Sequence, residues 1–139
     1  MPLPPEYLRQ ITREEMNALP IRRYEGEVRL VESPGLLERA AEDILQEAAV
    51  GFDTETRPAF RKGESHLPSL AQVATARAVY LFPLQRLDCS GLLASLLGAP
   101  HIVNAGVALA DDLRQLQQLF AFETAATLDL GHVARRHGL

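Results

Sequence analysis

Cysteine occurs once, at position 89, and tryptophan not at all. A single thiol excludes an intrachain disulfide, and with no second cysteine there is no zinc knuckle, so a reducing cytoplasm is the expected setting. Positive charge is scarce as well: 14 Lys and Arg stand against 18 Asp and Glu, a net charge of −4. Contact with a polyanion must then come from a local basic patch rather than from the field of the whole domain. Long apolar runs are also missing. The stretch from Cys89 to Ala110 is free of Asp, Glu, Lys and Arg, but Pro100, His101 and Asn104 interrupt it. Glu6, Arg9, Arg13, Glu14 and Glu15 occupy the region where a signal peptide needs an apolar centre. Neither a membrane span nor secretion is expected.

What remains is a chain of 139 residues that is 47% hydrophobic, enough for one core built mostly of Leu, Val, Ile and Ala. "MPLPPEY" reads as an extended arm. Thr12 and Glu15 in "TREE" have capping-box spacing for a short helix that Pro20 stops. These features make residues 1–25 an N-terminal appendage and 26–139 the domain proper. "GEVRLVES" alternates Val28 and Leu30 with Arg29, which predicts a strand over 26–32. Ser33 then caps a helix with Pro34 at its first position and a stripe of Leu37, Ala40, Ala41, Ile44, Leu45 and Ala48.

"AVGFDTE" reads as a central strand buried on both faces, followed by a charged loop over 57–68. "SLAQVAT" and "AVYLFPL" form a hairpin-like pair. "SGLLASLLG" is a helix capped by Ser90 and closed by Gly98, "HIVNAG" a further buried strand, and "LADDLRQLQQLF" an amphipathic helix. A last helix over 126–136 places Arg135 and Arg136 in its final turn and Gly138 just beyond. Interleaved strands and helices predict an α/β domain with a mixed sheet.

The chemistry concentrates in "AAVGFDTETRP". On a strand Asp53 and Glu55 share one face. At roughly 5 Å and an effective dielectric of about 20 they repel by about 3 kcal/mol, which water tolerates or a hard divalent cation removes. An isolated D-x-E fits a solvated strand end as well as a Mg²⁺ or Mn²⁺ site, and it fits the manganese site of a nucleotide-sugar transferase too. "NAGVALADDLRQL" supplies further acids. Asp111 and Asp112 lie in the first turn of a helix, where the macrodipole favours them, and Asp112 shares the angular sector of Leu113 and Leu116. If "HIVNAG" lies beside "GFDTE", Asp112 completes a three-carboxylate cluster.

"VGFDTETRP" followed by "PSLAQVAT" and "VYLF" resembles the first motif of the DEDD 3′-5′ exonucleases of the ribonuclease D and Werner-type group. "NAGVALADDLRQL" is similar to their second motif, with Gly106 six residues before Asp112 and Leu116 four beyond. The resemblance covers about residues 12–139. It implies a ribonuclease H-like mixed sheet flanked by helices, and hydrolysis of phosphodiester bonds at the 3′ ends of DNA or RNA with two Mg²⁺ or Mn²⁺ ions. By that resemblance Asp53, Glu55 and Asp112 are the catalytic metal ligands. It leaves the nucleotide-sugar transferase reading without an account of the second motif. The family's third motif, a Tyr or His four residues ahead of an Asp, lies downstream of the segment that "ATLDLGHVARRHGL" resembles, so the domain is expected to be incomplete at its C-terminus. An alternative is a catalytically degenerate domain that binds nucleic acid or protein.

Arg57, Arg61 and Lys62 follow the acidic strand and are candidates for phosphate contact, or for simple solvation of a loop. His132 and His137 are five apart and miss the spacing of a zinc pair. Cys89 has no nucleophile context, His101 is expected to be structural, and Tyr80 with Phe82 is read as core.

Overall fold

The computed structural model describes residues 4–5, 10–57 and 59–138. Met1–Leu3, Glu6 and Tyr7 of the expected arm lie outside the described residues. The Thr12–Glu15 capping box forms as predicted, the Glu15 amide donating to the Thr12 hydroxyl at 3.1 Å and the Thr12 amide to the Glu15 carboxylate at 2.8 Å. It starts helix α1 (Arg13–Ala18), which buries no residue.

Strands β1 (Glu27–Leu30), β2 (Ala49–Thr56), β3 (Pro68–Ala74), β4 (Ala78–Pro83), β5 (Val103–Gly106) and β6 (Thr127–Asp129) form one sheet in the order β1-β4-β3-β2-β5-β6. β2 pairs antiparallel with β3 and parallel with β5, and β3 pairs antiparallel with β4, so the sheet is mixed. β1 and β6 run parallel to their neighbours at the two edges. The helices are α2 (Pro34–Ile44), α3 (Ser90–Gly98), α4 (Leu109–Leu116) and α5 (Leu130–Arg136).

Register assigns the residues to two faces. Phe52 pairs with Val73 and Thr54 with Ala71; Val73 pairs with Tyr80 and Ala71 with Phe82. All six are buried. Ala40 and Ile44 of α2, the leucines of α3 and Leu109, Leu113 and Leu116 of α4 join them in one core. Tyr80 and Phe82 are thus core, as read from the sequence. The α2 stripe narrows: only Ala40 and Ile44 are fully buried, while Ala48 lies past the helix end in the open.

The opposite face holds Val28, Leu30, Leu70, Gln72, Ala74, Val79, Leu81, Gly51, Asp53, Glu55, Ala105 and Leu128, and none of these is buried. This corrects one expectation. β2 is central in the sheet but buried on one face only, because α2, α3 and α4 all pack on the Phe52 side. The apolar alternation of β1 leaves Val28 and Leu30 open, at 56% and 42% exposure, and it is Val31, just past the strand, that enters the core.

Smaller differences have local causes. The Ser90 hydroxyl donates to Asp88 at 2.6 Å instead of capping α3; Cys89 holds the cap position and Gly98 is helical with Ala99 as C-cap. α4 ends at Leu116 rather than running to Phe120. The last helix begins at Leu130 because Thr127–Asp129 is drawn into the sheet edge by β5. Its end is as predicted, with Gly138 at φ 83° just past the His137 cap. His101 lies exposed in a turn ahead of β5. No helix among the described residues is long and apolar enough to cross a membrane.

Candidate active site

β2 and β5 run parallel, so both deliver their C-terminal ends to one side of the molecule. Asp53 and Glu55 leave β2 there on the open face. β5 ends at Gly106, where an added Cβ would stand 2.5 Å from the Phe52 carbonyl oxygen; only glycine lets the two backbones approach this closely. Two residues later Ala108 takes a left-handed conformation, φ 55° and ψ 38°, which costs a non-glycine residue about 1–2 kcal/mol. That turn swings the chain into α4, and the first turn of α4 carries Asp111 and Asp112.

The two acids diverge as their helical angles require. Asp111 is exposed and pairs with Arg114. Asp112 is half-buried and faces Asp53. Burial pushes the Asp112 carboxyl above its ordinary value, and the neighbouring Asp53 charge, a hydrogen bond shared with Asp53 and the more distant Glu55 charge add to that, while a hydrogen bond with the Thr54 hydroxyl opposes it. Asp53 is itself held by the Thr54 amide, which donates to its Oδ1 at 2.9 Å.

Glu55 stands apart. The Gln72 side-chain amide donates to its Oε1 at 3.4 Å across the β2–β3 pair. Among the described residues no three Asp, Glu, His or Cys side chains stand close enough to enclose one ion. The expected cluster is therefore a contact pair, Asp53 with Asp112, with Glu55 drawn to a donor on the neighbouring strand. Repulsion among three carboxylates favours that separation. An oxygen-only donor set of this kind suits hard divalent ions: Asp53 and Asp112 would supply two ligands, and exposed Glu55 a third after a rotamer change.

Sequence reasoning overlooked two supporting residues. Thr54, buried at 8% exposure, touches both Asp53 and Asp112, and Gln72 holds Glu55. A signal for each was present: Thr54 sits inside the D-x-E motif, and Gln72 is the glutamine of "SLAQVAT".

Asp129 lies at the end of β6 and caps α5, accepting from the Gly131 amide at 2.8 Å. Burial pushes its carboxyl up, but hydrogen bonds from the backbone of Gly131, His132 and Ala108 and the nearby His132 outweigh this and lower it. Its carboxylate is engaged as the cap of α5. Cys89 is buried, its thiol pushed up to about 11 by burial and the nearby Asp88, which disfavours the nucleophilic thiolate. Arg57 is tied down, with Glu64 at 3.5 Å and His66 at 3.2 Å, while Arg61 and Lys62 make no ion pair among the described residues.

The sequence model of the 3′-5′ exonuclease domain matches residues 28–137. The chain belongs to that DEDD-type 3′-5′ exonuclease family. Solved structures agree on the ribonuclease H-like fold. The exonuclease domain of Aedes aegypti Nibbler superposes with a TM-score of 0.71 at 23% identity, covering 86% of this chain and 60% of that one. Trypanosoma brucei RNase D in complex with U12 RNA gives 0.68 at 20% identity, covering 76% of this chain and 38% of that one. The EXD2 exonuclease domain gives 0.65 at 25% identity, with coverages of 80% and 60%. The chain thus spans less than two thirds of each of these relatives. No curated protein sequence matches it.

Proposed function

We propose that this exonuclease chain carries the metal-holding part of an active site that hydrolyses phosphodiester bonds at free 3′ ends of DNA or RNA. Asp53, Glu55 and Asp112 would hold Mg²⁺ or Mn²⁺. The observation that carries the reading is that exposed Asp53, near the end of β2, and half-buried Asp112, in the first turn of α4, come from separate strand and helix motifs to the same end of the sheet, near enough for the Asp53 charge to act on the Asp112 carboxyl. Relatives lend support: EXD2 structures were obtained with Mg and GMP and with Mn and GMP, and RNase D structures with RNA and with GMP.

Divalent ions, when bound there, supply a polarised nucleophile and neutralise charge gathering on the phosphoryl oxygens. The chain's own residues do the rest. Thr54 holds Asp53 and Asp112 in mutual contact through its amide and hydroxyl. Asp112, whose carboxyl burial and the Asp53 charge push up, would be held in its ionised form by a divalent ion bound there. Gln72 keeps Glu55 on the open face. Arg57, Arg61 and Lys62 would meet the phosphates of the incoming strand.

The test combines stability and chemistry. Manganese at about a hundredfold excess over its Kd is expected to raise Tm by roughly 5 °C or more in the wild-type chain and not in Asp53→Asn. A 5′-labelled oligonucleotide is expected to shorten from its 3′ end with the wild-type sequence extended through the family's third motif, and not with Asp53→Asn in the same extended chain. A wild-type chain that gains no Tm with manganese and whose extended form does not shorten the strand overturns the proposal.

A further inference from the structure

Arg135 and Arg136 end α5, where a cation serves the helix macrodipole if it lies by the last carbonyls. Arg135 does not. Its side chain runs back along the helix, so that a Cβ added at Gly131 would stand 3.6 Å from its Nη1. Arg135 and Arg136 instead line one cavity of about 590 Å³ together with Thr127, Leu128, Asp129 and His132. Elsewhere Arg29, Arg57, Arg77, Arg86 and Arg114 each face an acid. Arg135 and Arg136 are exposed and make no ion pair among the described residues. The carboxylate that lines the cavity, Asp129, is taken up by backbone hydrogen bonds from Gly131, His132 and Ala108. Two guanidiniums against one carboxylate leave the cavity positive, in a protein whose overall charge is −4.

The fold sets this cavity beside the acids. β6 stands two strands from β2, about 10 Å away at the usual inter-strand spacing. β6 runs parallel to β5 and β5 to β2, so β6 hands the chain to α5 at the end of the sheet where Asp53 and Asp112 lie. The β2–β3 loop with Arg57, Arg61 and Lys62 lies on the other flank of β2. The acids thus stand between two groups of cations, and a nucleic-acid backbone, with one negative charge per nucleotide, fits such a row.

We infer that Arg135 and Arg136, with His132 beside them, form a second phosphate-binding site that holds the backbone of a DNA or RNA strand a few nucleotides from the 3′ end at Asp53 and Asp112. This rests on the proposed exonuclease reading and adds to it a path for the bound strand, outward across β5 and β6.

The test is binding of 5′-labelled single-stranded oligonucleotides of about ten nucleotides, as DNA and as RNA, followed by fluorescence anisotropy over a range of salt with calcium as the divalent ion. Arg135→Gln combined with Arg136→Gln is expected to lower the slope of log affinity against log salt by about 1.4 and to weaken binding about 25-fold at about 0.1 M salt, with Tm unchanged. Arg135→Lys combined with Arg136→Lys is expected to keep the wild-type slope. A neutral methylphosphonate linkage moved stepwise from the 3′ end should weaken the wild type at one or two linkages and leave the double Gln variant indifferent there. A wild type that binds while the double Gln variant keeps its slope, or a methylphosphonate profile identical in both proteins, overturns the second site alone. A wild type that binds no oligonucleotide overturns both this inference and the exonuclease reading beneath it.

Discussion

The two faces of the sheet are built from the same strands and meet opposite fates. On one, Tyr80 and Phe82 of β4 stack with ring centroids 6.4 Å apart and keep 2% and 0% of their exposure. On the other, Val28 and Leu30 of the neighbouring β1 keep 56% and 42%. The difference lies in the company: α2, α3 and α4 pack on the first face, and the second carries Asp53, Glu55 and Gln72 among its apolar residues. Stability is concentrated where the helices are. Chemistry is left where carboxylates remain within reach of solvent and ligands.

That comparison can be broken at graded points. The largest effect is expected from Phe82→Ala, which empties a fully buried site and should cost about 3–5 kcal/mol by urea denaturation. A loss below about 1 kcal/mol would mean that the closed face is not the core.

Next comes Asp43, which ties α2 to that face by accepting from the Tyr80 hydroxyl at 2.7 Å and the Thr75 hydroxyl at 3.0 Å and by pairing with Arg77. Asp43→Ala strands the Tyr80 hydroxyl, which is expected to cost about 1–3 kcal/mol, with the half-exposed Arg77 pair adding little. Burial pushes the Asp43 carboxyl up, but the hydrogen bonds from Tyr80, Arg77 and Thr75 bring it below its ordinary value. A depressed acid contributes stability above its unfolded pKa and loses it as pH falls through the folded one. The gap between wild type and Asp43→Ala should therefore be full at neutral pH and narrow below about pH 4. A gap constant down to pH 2 would assign the cost to packing alone.

The smallest effect is expected on the open face. Leu30→Ser should change stability by no more than about 0.5 kcal/mol, because the side chain is already partly in water. A loss above about 1 kcal/mol would show that this face is covered in solution and would end the comparison.

Much of this was legible before folding was considered. The Ser33-Pro34 start of α2, the β3–β4 pairing, the Thr12–Glu15 box and the Gly138 stop follow from propensities that act within a few residues. The acid positions were legible too, since D-x-E on a strand and Asp112 one position from Leu113 fix direction through the periods of strand and helix. β6 escaped because three residues carry too little pattern, and only β5 makes them a strand. The cap of α3 was misplaced because Asp88 competes for the Ser90 hydroxyl. The alternation of β1 marked the strand but not its burial, because an edge strand can point apolar residues at a face that no helix covers.

Sequence alone determined the elements, the family motifs and which carboxylates would share a direction, because these depend on covalent neighbours and backbone period. Tertiary structure alone decided that Asp53 and Asp112 touch, that Glu55 turns to Gln72 and that one face of the sheet stays open. Those outcomes depend on which strand lies beside which and on what packs above it, and such distances between residues far apart in the chain exist only once the sheet has formed.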